Sequence, residues 1–294
     1  MALEVFSDLS ERLNYNLPNF PLYVRKGWLH QFDRYAAAYH WHPDVEFILV
    51  LDGAMDYFIH GQTVHMKQGD GIFVNSKRLH YGFSSTETDC CFIVVAVHPV
   101  LLGAETLAGK AYLEEKFGPS AADFLTLSDS VPWQRDVLSS LDALYREMHG
   151  GTDNLLLLLS QTASLCASVS AHLHREQQSG GDEHAWMLIR RMTHRIHQCY
   201  ESKLTVDEIA ASGPVCRSRC SELFKQHIGE SPNNYLIRYR IQKSCEMLKE
   251  TARPVSEIAL ACGFQTSSYF SSVFRKQIGL SPQDFRKQSG GSSA

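Results

Sequence analysis

His40 and His42, one residue apart, with Glu46 four positions further on, carry the donor atoms that a divalent transition ion takes: imidazole nitrogens and a carboxylate oxygen. Along an extended strand side chains alternate between faces, so both imidazoles turn to the same side. A second kind of chemistry lies near the other end of the chain. Tyr269, Phe270, Val273, Phe274 and Ile278 recur at spacings of three and four, and the opposite face holds Gln265, Ser267, Ser268, Ser271, Ser272 and Arg275. Apolar residues at that spacing lock one face of a helix to a core. The short polar groups opposite leave the other face slim enough to reach base edges in a nucleic-acid groove.

The elements that must position this polar face occur twice. Val206-Asp207-Glu208-Ile209-Ala210 returns as Val255-Ser256-Glu257-Ile258-Ala259, about fifty positions on, and Phe224-Lys225-Gln226-His227-Ile228-Gly229-Glu230-Ser231-Pro232 returns as Phe274-Arg275-Lys276-Gln277-Ile278-Gly279-Leu280-Ser281-Pro282. Two copies are too few for a stacked array, and each is long enough for two short helices and a turn. Thr205 with Glu208 forms a capping box at the first start, and Pro254 with Glu257 marks the second. Gly263 provides the tight turn of the second copy. Between the copies, Asn233 to about Lys249 reads as one helix with apolar positions Tyr235, Leu236, Tyr239, Ile241, Cys245 and Leu248. Its roughly 25 Å could set two recognition helices near the roughly 34 Å spacing of successive major-groove segments.

Charge divides with the pattern. Residues 184–288 carry sixteen Lys and Arg against nine Asp and Glu, net +7, and the rest carries twelve against twenty-three, net −11, which together give the chain's −4. A basic block neutralises phosphates, whereas an acidic one is repelled by the duplex. Arg217, Arg219, Lys225 and Arg275 are therefore candidate phosphate or groove contacts, with Ser218, Ser221 and Glu222 beside them in the first copy. Any one of these exposed groups is equally explained as solvated surface.

The second copy, from Ser256-Glu257-Ile258-Ala259 through Gly263-Phe264, Ser268-Tyr269-Phe270, Val273-Phe274-Arg275-Lys276, Gly279 and Ser281-Pro282, resembles the carboxyl-terminal signature of the AraC-type bacterial transcription regulators. The resemblance covers residues from about 184 to 288. It implies two helix-turn-helix subdomains on a central helix, binding to double-stranded DNA, contact with RNA polymerase, and commonly an effector-binding, dimerising amino-terminal half. The first copy departs from the pattern: Gly213-Pro214-Val215-Cys216 replaces a turn glycine and capping serine, Cys220 replaces a leucine, and Glu222 stands where a basic residue is frequent. Ser272 stands at a position often held by arginine.

The amino-terminal third has a period of two. Apolar runs at 47–51, 55–59, 72–74 and 91–97 are broken by glycine turns about every ten residues, which predicts a small antiparallel barrel or jelly roll over about 20–98. His40-Trp41-His42, Glu46 and Gly53 match the spacing of the first cupin signature, and Gly69 with His80 fits a fragment of the second. Asn75 and Lys77 replace that signature's usual proline and glycine. The resemblance groups His40, His42, Glu46 and His80 as a three-histidine, one-carboxylate pocket suited to a divalent transition metal. An organic-ligand cavity or a packed scaffold explains the same residues. For an organic effector the candidate contacts are Tyr23, Arg25, His40, His42, Glu46, Tyr57 and His80, which combine aromatic walls with polar anchors.

From about Leu101 to Gln178 the pattern is helical. One stripe is Val137, Leu138, Leu141, Leu144, Tyr145 and Met148, and a second is Leu155, Leu158, Leu159, Thr162, Leu165, Cys166, Val169 and Leu173. The second is expected either to pack on the barrel or to form a homodimer seam. Leu155 to Leu159 is too short to cross a membrane, which needs about twenty apolar residues. No charged-apolar-small leader opens the chain, and the eight cysteines form no C-x-x-C pair, so reduced thiols in a cytoplasm are expected.

Together these features predict an α+β multidomain chain. Residues 1–100 form a cupin-like β-barrel with a leading arm, 101–176 a helical dimerisation or packing segment, 177–183 a linker, 184–288 an all-α double helix-turn-helix domain, and 289–294 a disordered tail. The expected function is a cytoplasmic, dimeric, DNA-binding transcription regulator that answers to a small-molecule effector and is not an enzyme. Two other readings stay open: a cupin metalloenzyme fused to a DNA-binding module, and an effector-independent DNA-binding protein.

Overall fold

Strands follow one another through the amino-terminal half as β1 (Glu4–Val5), β2 (Glu11–Arg12), β3 (Leu22–Trp28), β4 (Val45–Ile59), β5 (Gln62–Lys67), β6 (Gly71–Val74), β7 (His80–Phe83) and β8 (Cys90–Val97). A ninth, β9 (Phe124–Leu127), pairs with β6 and was not expected within a helical stretch. This computed structural model describes the whole chain except residues 1, 2, 7, 8, 119, 120, 152, 153, 174–180 and 291–294. All ladders between these strands are antiparallel.

The length of β4 organises the fold. Its first half lies between β8 and β6, and its second half between β5 and β7, so one strand belongs to both layers. The register slips between Val50 and Asp52, and the chain turns at Gly53, whose φ is +77°. A Cβ there would also fall 2.5 Å from the Asp89 carbonyl oxygen, so only glycine fits. Alternation then sorts the side chains. Val45, Phe47 and Leu49 face one core with Ile93, Val95 and Val97, while Ile48 and Val50 join Met55, Tyr57, Phe92 and Val94 in another, between the layers. Glu46 has the parity of this interior set, which makes it a buried carboxylate.

Helices cover the outer face of the sheet. They are α1 (Leu107–Phe117), α2 (Pro132–His149) and α3 (Leu155–Ser170). Val137, Leu138, Leu141 and Leu144 of α2, with Leu158, Leu165, Cys166 and Val169 of α3, share the core of Phe47 and Phe73. Each large side chain so buried stabilises the fold by roughly 1.5–3 kcal/mol. The second leucine-rich stripe is thus largely spent on packing within its own domain, chiefly against α2, which lies on the sheet. Leu155, Leu156 and Leu157, at the start of α3, stay exposed, Leu156 at 77%.

The chain divides into two compact units between Glu183 and His184. The second is helical: α4 (Gly181–Cys199), α5 (Val206–Ser212), α6 (Arg217–His227), α7 (Pro232–Glu250), α8 (Val255–Ala261), α9 (Ser267–Ile278) and α10 (Pro282–Gly290). Residues 181–183 of the expected linker begin α4, and residues 289–290 of the expected tail end α10. Residues 177–180 and 291–294 lie outside the described residues.

The repeat folds as two copies of one helix pair on the shared α7. Ile209, Leu223, Phe224, Tyr235 and Leu236 are buried in the first copy. Ile258, Phe264, Phe270, Phe274 and Phe285 share one core in the second. Gly229 and Gly279 both have positive φ, at 85° and 82°, just past α6 and α9, although α9 runs one position further before its glycine. The turns before them differ. Gly263 has φ +78°, and a Cβ there would meet the Tyr200 carbonyl oxygen at 2.2 Å, whereas Gly213 has φ −100°.

Candidate functional site

The layers bring His40, His42, Glu46 and His80 together, with one donor atom of each within 4.8 Å of the others. Glu46 is the second residue of β4 and His80 the first of β7. His40 and His42 were expected on a regular strand. Instead the segment is held by isolated bridges, His40 to His80 and Trp41 to Ser10, because Pro43 has no backbone N–H to extend a ladder. The imidazoles still share a side, with ring centroids 5.8 Å apart. Lys77, in the turn before His80, has φ 60° where the cupin signature places glycine, and its N–H donates to the His42 carbonyl oxygen at 2.9 Å.

Backbone carbonyls orient all three rings. The Nδ1 atoms of His40, His42 and His80 donate to the carbonyl oxygens of Ala38, Asp44 and Arg78 at 2.8, 3.1 and 2.7 Å. The Nε2 atoms are thereby turned toward the cluster, the arrangement by which metal-ligating histidines are held. Glu46 lies between two of them, 3.3 Å from His42 Nε2 and 3.3 Å from His80 Nε2. Tyr57 donates a hydrogen bond to Oε1, the carboxylate oxygen that faces His80. His80 Nε2 is buried and has no hydrogen-bond partner among the described residues. Three convergent imidazoles, one carboxylate and an orphaned nitrogen fit a divalent first-row transition ion.

Burial dominates the electrostatics of the cluster. Burial and the neighbouring His80 push the His40 pKa down to about 3. Burial also opposes a charge on His42, but its hydrogen bond to Glu46 and the charges of Glu46 and Asp44 offset this, and its pKa is raised. Glu46 is buried too, yet the charge of His80 and the hydrogen bond from His42 hold its carboxyl well below the usual range. Tyr57 is raised by burial and by Glu46.

One residue of the site escaped the sequence reading. Glu11, in the two-residue β2, places Oε2 3.3 Å from His40 Nε2, and its side chain is only 5% exposed. Burial and then the charge of Glu46 push its pKa up to about 8. Beside it opens a cavity lined by Leu13, Tyr23, Leu29, Phe32, Ile48, Met55, Phe92 and Val94, with polar groups of Glu11, His40, Glu46 and Tyr57. Of the expected effector contacts, Tyr23, His40, Glu46 and Tyr57 line this cavity, and His42 and His80 stand behind it in the cluster. Arg25 does not line it: the side chain is exposed, with its guanidinium 5.8 Å from the Tyr23 ring centroid.

In the helical unit, Arg217, Ser218, Arg219, Ser221, Glu222 and Lys225 are all exposed on α6. Gln265, Ser267, Ser268, Ser272 and Arg275 are exposed on or beside α9. Ser271 is half-buried on the same helix. Tyr269, expected on the apolar face, is 51% exposed, because Phe270 and Phe274 already fill the core. Arg217 pairs with Asp207 and Arg219 with Glu222, both at 3.3 Å and in solvent, where such pairs contribute little. Arg275 and Lys225 make no ion pair among the described residues.

Residues 29–160 match the AraC-like ligand binding domain family and residues 215–288 match a helix-turn-helix domain family. The chain is 27% identical over 253 residues to the HTH-type transcriptional regulator YdeC of Bacillus subtilis, covering 84% of this chain and 85% of that one. It is 25% identical over 259 residues to the melibiose operon regulatory protein of Escherichia coli, covering 85% and 83%. Among solved structures, ToxT of Vibrio cholerae aligns over 92% of this chain and 99% of its own, with 12% identity and a TM-score of 0.45. No helix among the described residues is long and apolar enough to cross a membrane. With a ligand-binding domain at one end and a DNA-binding helix-turn-helix domain at the other, the chain belongs to the AraC-type family of transcription regulators.

Proposed function

We propose that α6 and α9 are two recognition helices that enter neighbouring major-groove segments of one duplex, and that a small-molecule effector bound in the amino-terminal cavity sets how well they do so. The observation that carries this reading is the twofold use of one design: each copy buries an aromatic core and leaves a polar face exposed on a basic unit. Arg275, Lys225, Arg217 and Arg219 serve phosphates or groove edges, and Gln265, Ser267, Ser268 and Ser272 serve bases. Ser218, Ser221 and Glu222 take the corresponding places in the first copy. The effector acts only to the extent that it binds one arrangement of the protein more tightly than another.

In this reading the barrel senses and does not turn a substrate over. His40, His42, Glu46 and His80 would hold a divalent transition ion, which would supply a Lewis-acidic anchor for a polar group of the effector. The exposed Leu155, Leu156 and Leu157 would meet a second copy. Cytoplasmic residence and contact with RNA polymerase go with the same role. Sequencing the DNA fragments that the full-length protein retains, with and without candidate metabolites, tests the proposal. A shared motif whose enrichment changes with one metabolite is the expected result, and retention without sequence preference would overturn it.

A further inference from the structure

The amino-terminal arm reaches the histidine cluster through one carboxylate. Backbone bonds fix its course: Trp41 N–H donates to the Leu9 carbonyl oxygen at 2.9 Å, and Glu11 N–H donates to the Trp41 carbonyl oxygen at 2.8 Å. This pairing runs beside the segment that carries His40 and His42, so Glu11 is delivered to the cavity side of the cluster. Its Oε2 stands 3.3 Å from His40 Nε2, one of the nitrogens free to bind an ion. Donors bound to one ion at about 2.0–2.2 Å lie roughly 3 to 4.4 Å from each other, so this separation is that of two neighbours in a single shell. Glu11 lies outside the group of four whose donor atoms all fall within 4.8 Å, and joins it through His40.

The surroundings explain why a carboxylate would come here. Glu11 and Glu46 both face a cavity whose described lining includes no lysine or arginine. Leu3 and Leu13, on either side of Glu11 in the same arm, line that cavity as well. Four donors from the body of the domain are enough to hold an ion, and a fifth from a separate segment adds little to the cage. It does tie that segment down.

We propose that Glu11 is a fifth, removable ligand of a divalent transition ion held by His40, His42, Glu46 and His80, and that loading the ion fastens the arm across the effector cavity. The proposal rests on the reading of those four residues as a metal site. It assigns Glu11 the role of coupling the ion to access: a ligand entering the cavity competes with the arm for the last coordination position.

Titration of the full-length, chelator-stripped protein with Co2+ alone tests this. The Co2+ electronic spectrum reports binding and hydrogen exchange at Glu11 and Leu13 reports the arm, in the wild type, in Glu11→Gln and in His42→Ala. The wild type should bind one ion per chain and slow exchange of the arm tenfold or more. Glu11→Gln is nearly isosteric. It should keep the ion with an altered spectrum and about tenfold weaker affinity, and should lose the metal-dependent protection. If Glu11→Gln binds Co2+ and protects the arm as the wild type does, the role of Glu11 is wrong while the four-residue site stands. If the wild type takes up no Co2+, or His42→Ala takes it up equally well, the metal site itself is wrong and the proposal falls with it.

Discussion

Cys216 and Thr266 occupy the same place in the two copies of the helix pair, each just before its recognition helix, but only Thr266 caps. Its hydroxyl accepts from the Tyr269 N–H at 3.2 Å, whereas the Cys216 side chain makes no cap bond and lies 3.2 Å from the Ser218 hydroxyl. Cys216 already has the extended backbone of a cap, with φ −75° and ψ 161°. The first recognition helix therefore begins without the hydroxyl cap that Thr266 gives the second.

Cys216→Ser should supply that acceptor. The expected gain is about 0.5–1 kcal/mol of stability, read as a rise of a few degrees in the unfolding temperature of the helical unit. An unchanged or lower transition would mean that the α6 terminus is satisfied in another way.

Arg275→Ala should weaken specific DNA binding by about 1 kcal/mol or more and reduce the slope of log K against log salt by about one, if the guanidinium neutralises a phosphate. Binding isotherms at several salt concentrations check both. Ser271→Ala should change affinity much less than Ser272→Ala, since Ser271 is half-buried and Ser272 is exposed. Equal losses would place α9 in the groove at a different angle.

The helical half was legible because its repeat states each constraint twice. Ile209 matches Ile258, Phe224 matches Phe274 and Gly229 matches Gly279, and such local periodicity fixes helices without knowledge of the rest of the fold. The expected central helix from Asn233 to about Lys249 is observed as α7, Pro232–Glu250. Tyr269 went to the wrong face because its spacing suits the apolar stripe, while Phe264, Phe270, Phe274 and Phe285 already fill that core. In the other half, β9 is four residues set between helices, too short for its alternation to stand out. Arg25 and Glu11 were misjudged for a common reason. Whether a polar side chain on a strand faces a cavity or solvent depends on pairings far away in sequence, here β3 with β8 and the arm with Trp41.

Tyr57→Phe should leave the barrel folded but remove the hydroxyl that donates to Glu46. Groups that orient a metal-binding carboxylate typically contribute about 10- to 100-fold in affinity, so Co2+ binding should weaken by about tenfold or more. Affinity unchanged in a Co2+ titration would show that Glu46 is held well enough by His42 and His80.

Leu156→Asp tests the exposed start of α3. This side chain is 77% exposed and contributes little to its own core, so the substitution should leave the unfolding temperature nearly unchanged. A shift from dimer to monomer in sedimentation is expected if this end of α3 meets a second copy. An unaltered profile would place the seam elsewhere.

Hydroxyl-radical footprinting of the full-length protein on a fragment that it selects from genomic DNA tests the two-helix grip most directly. The account predicts, for each bound chain, two protected patches on one face of the duplex, separated by about one helical turn of 10–10.5 base pairs. Arg275→Ala should weaken one patch and Arg219→Ala the other. A single patch per chain, or one lost as a whole with either substitution alone, would contradict it.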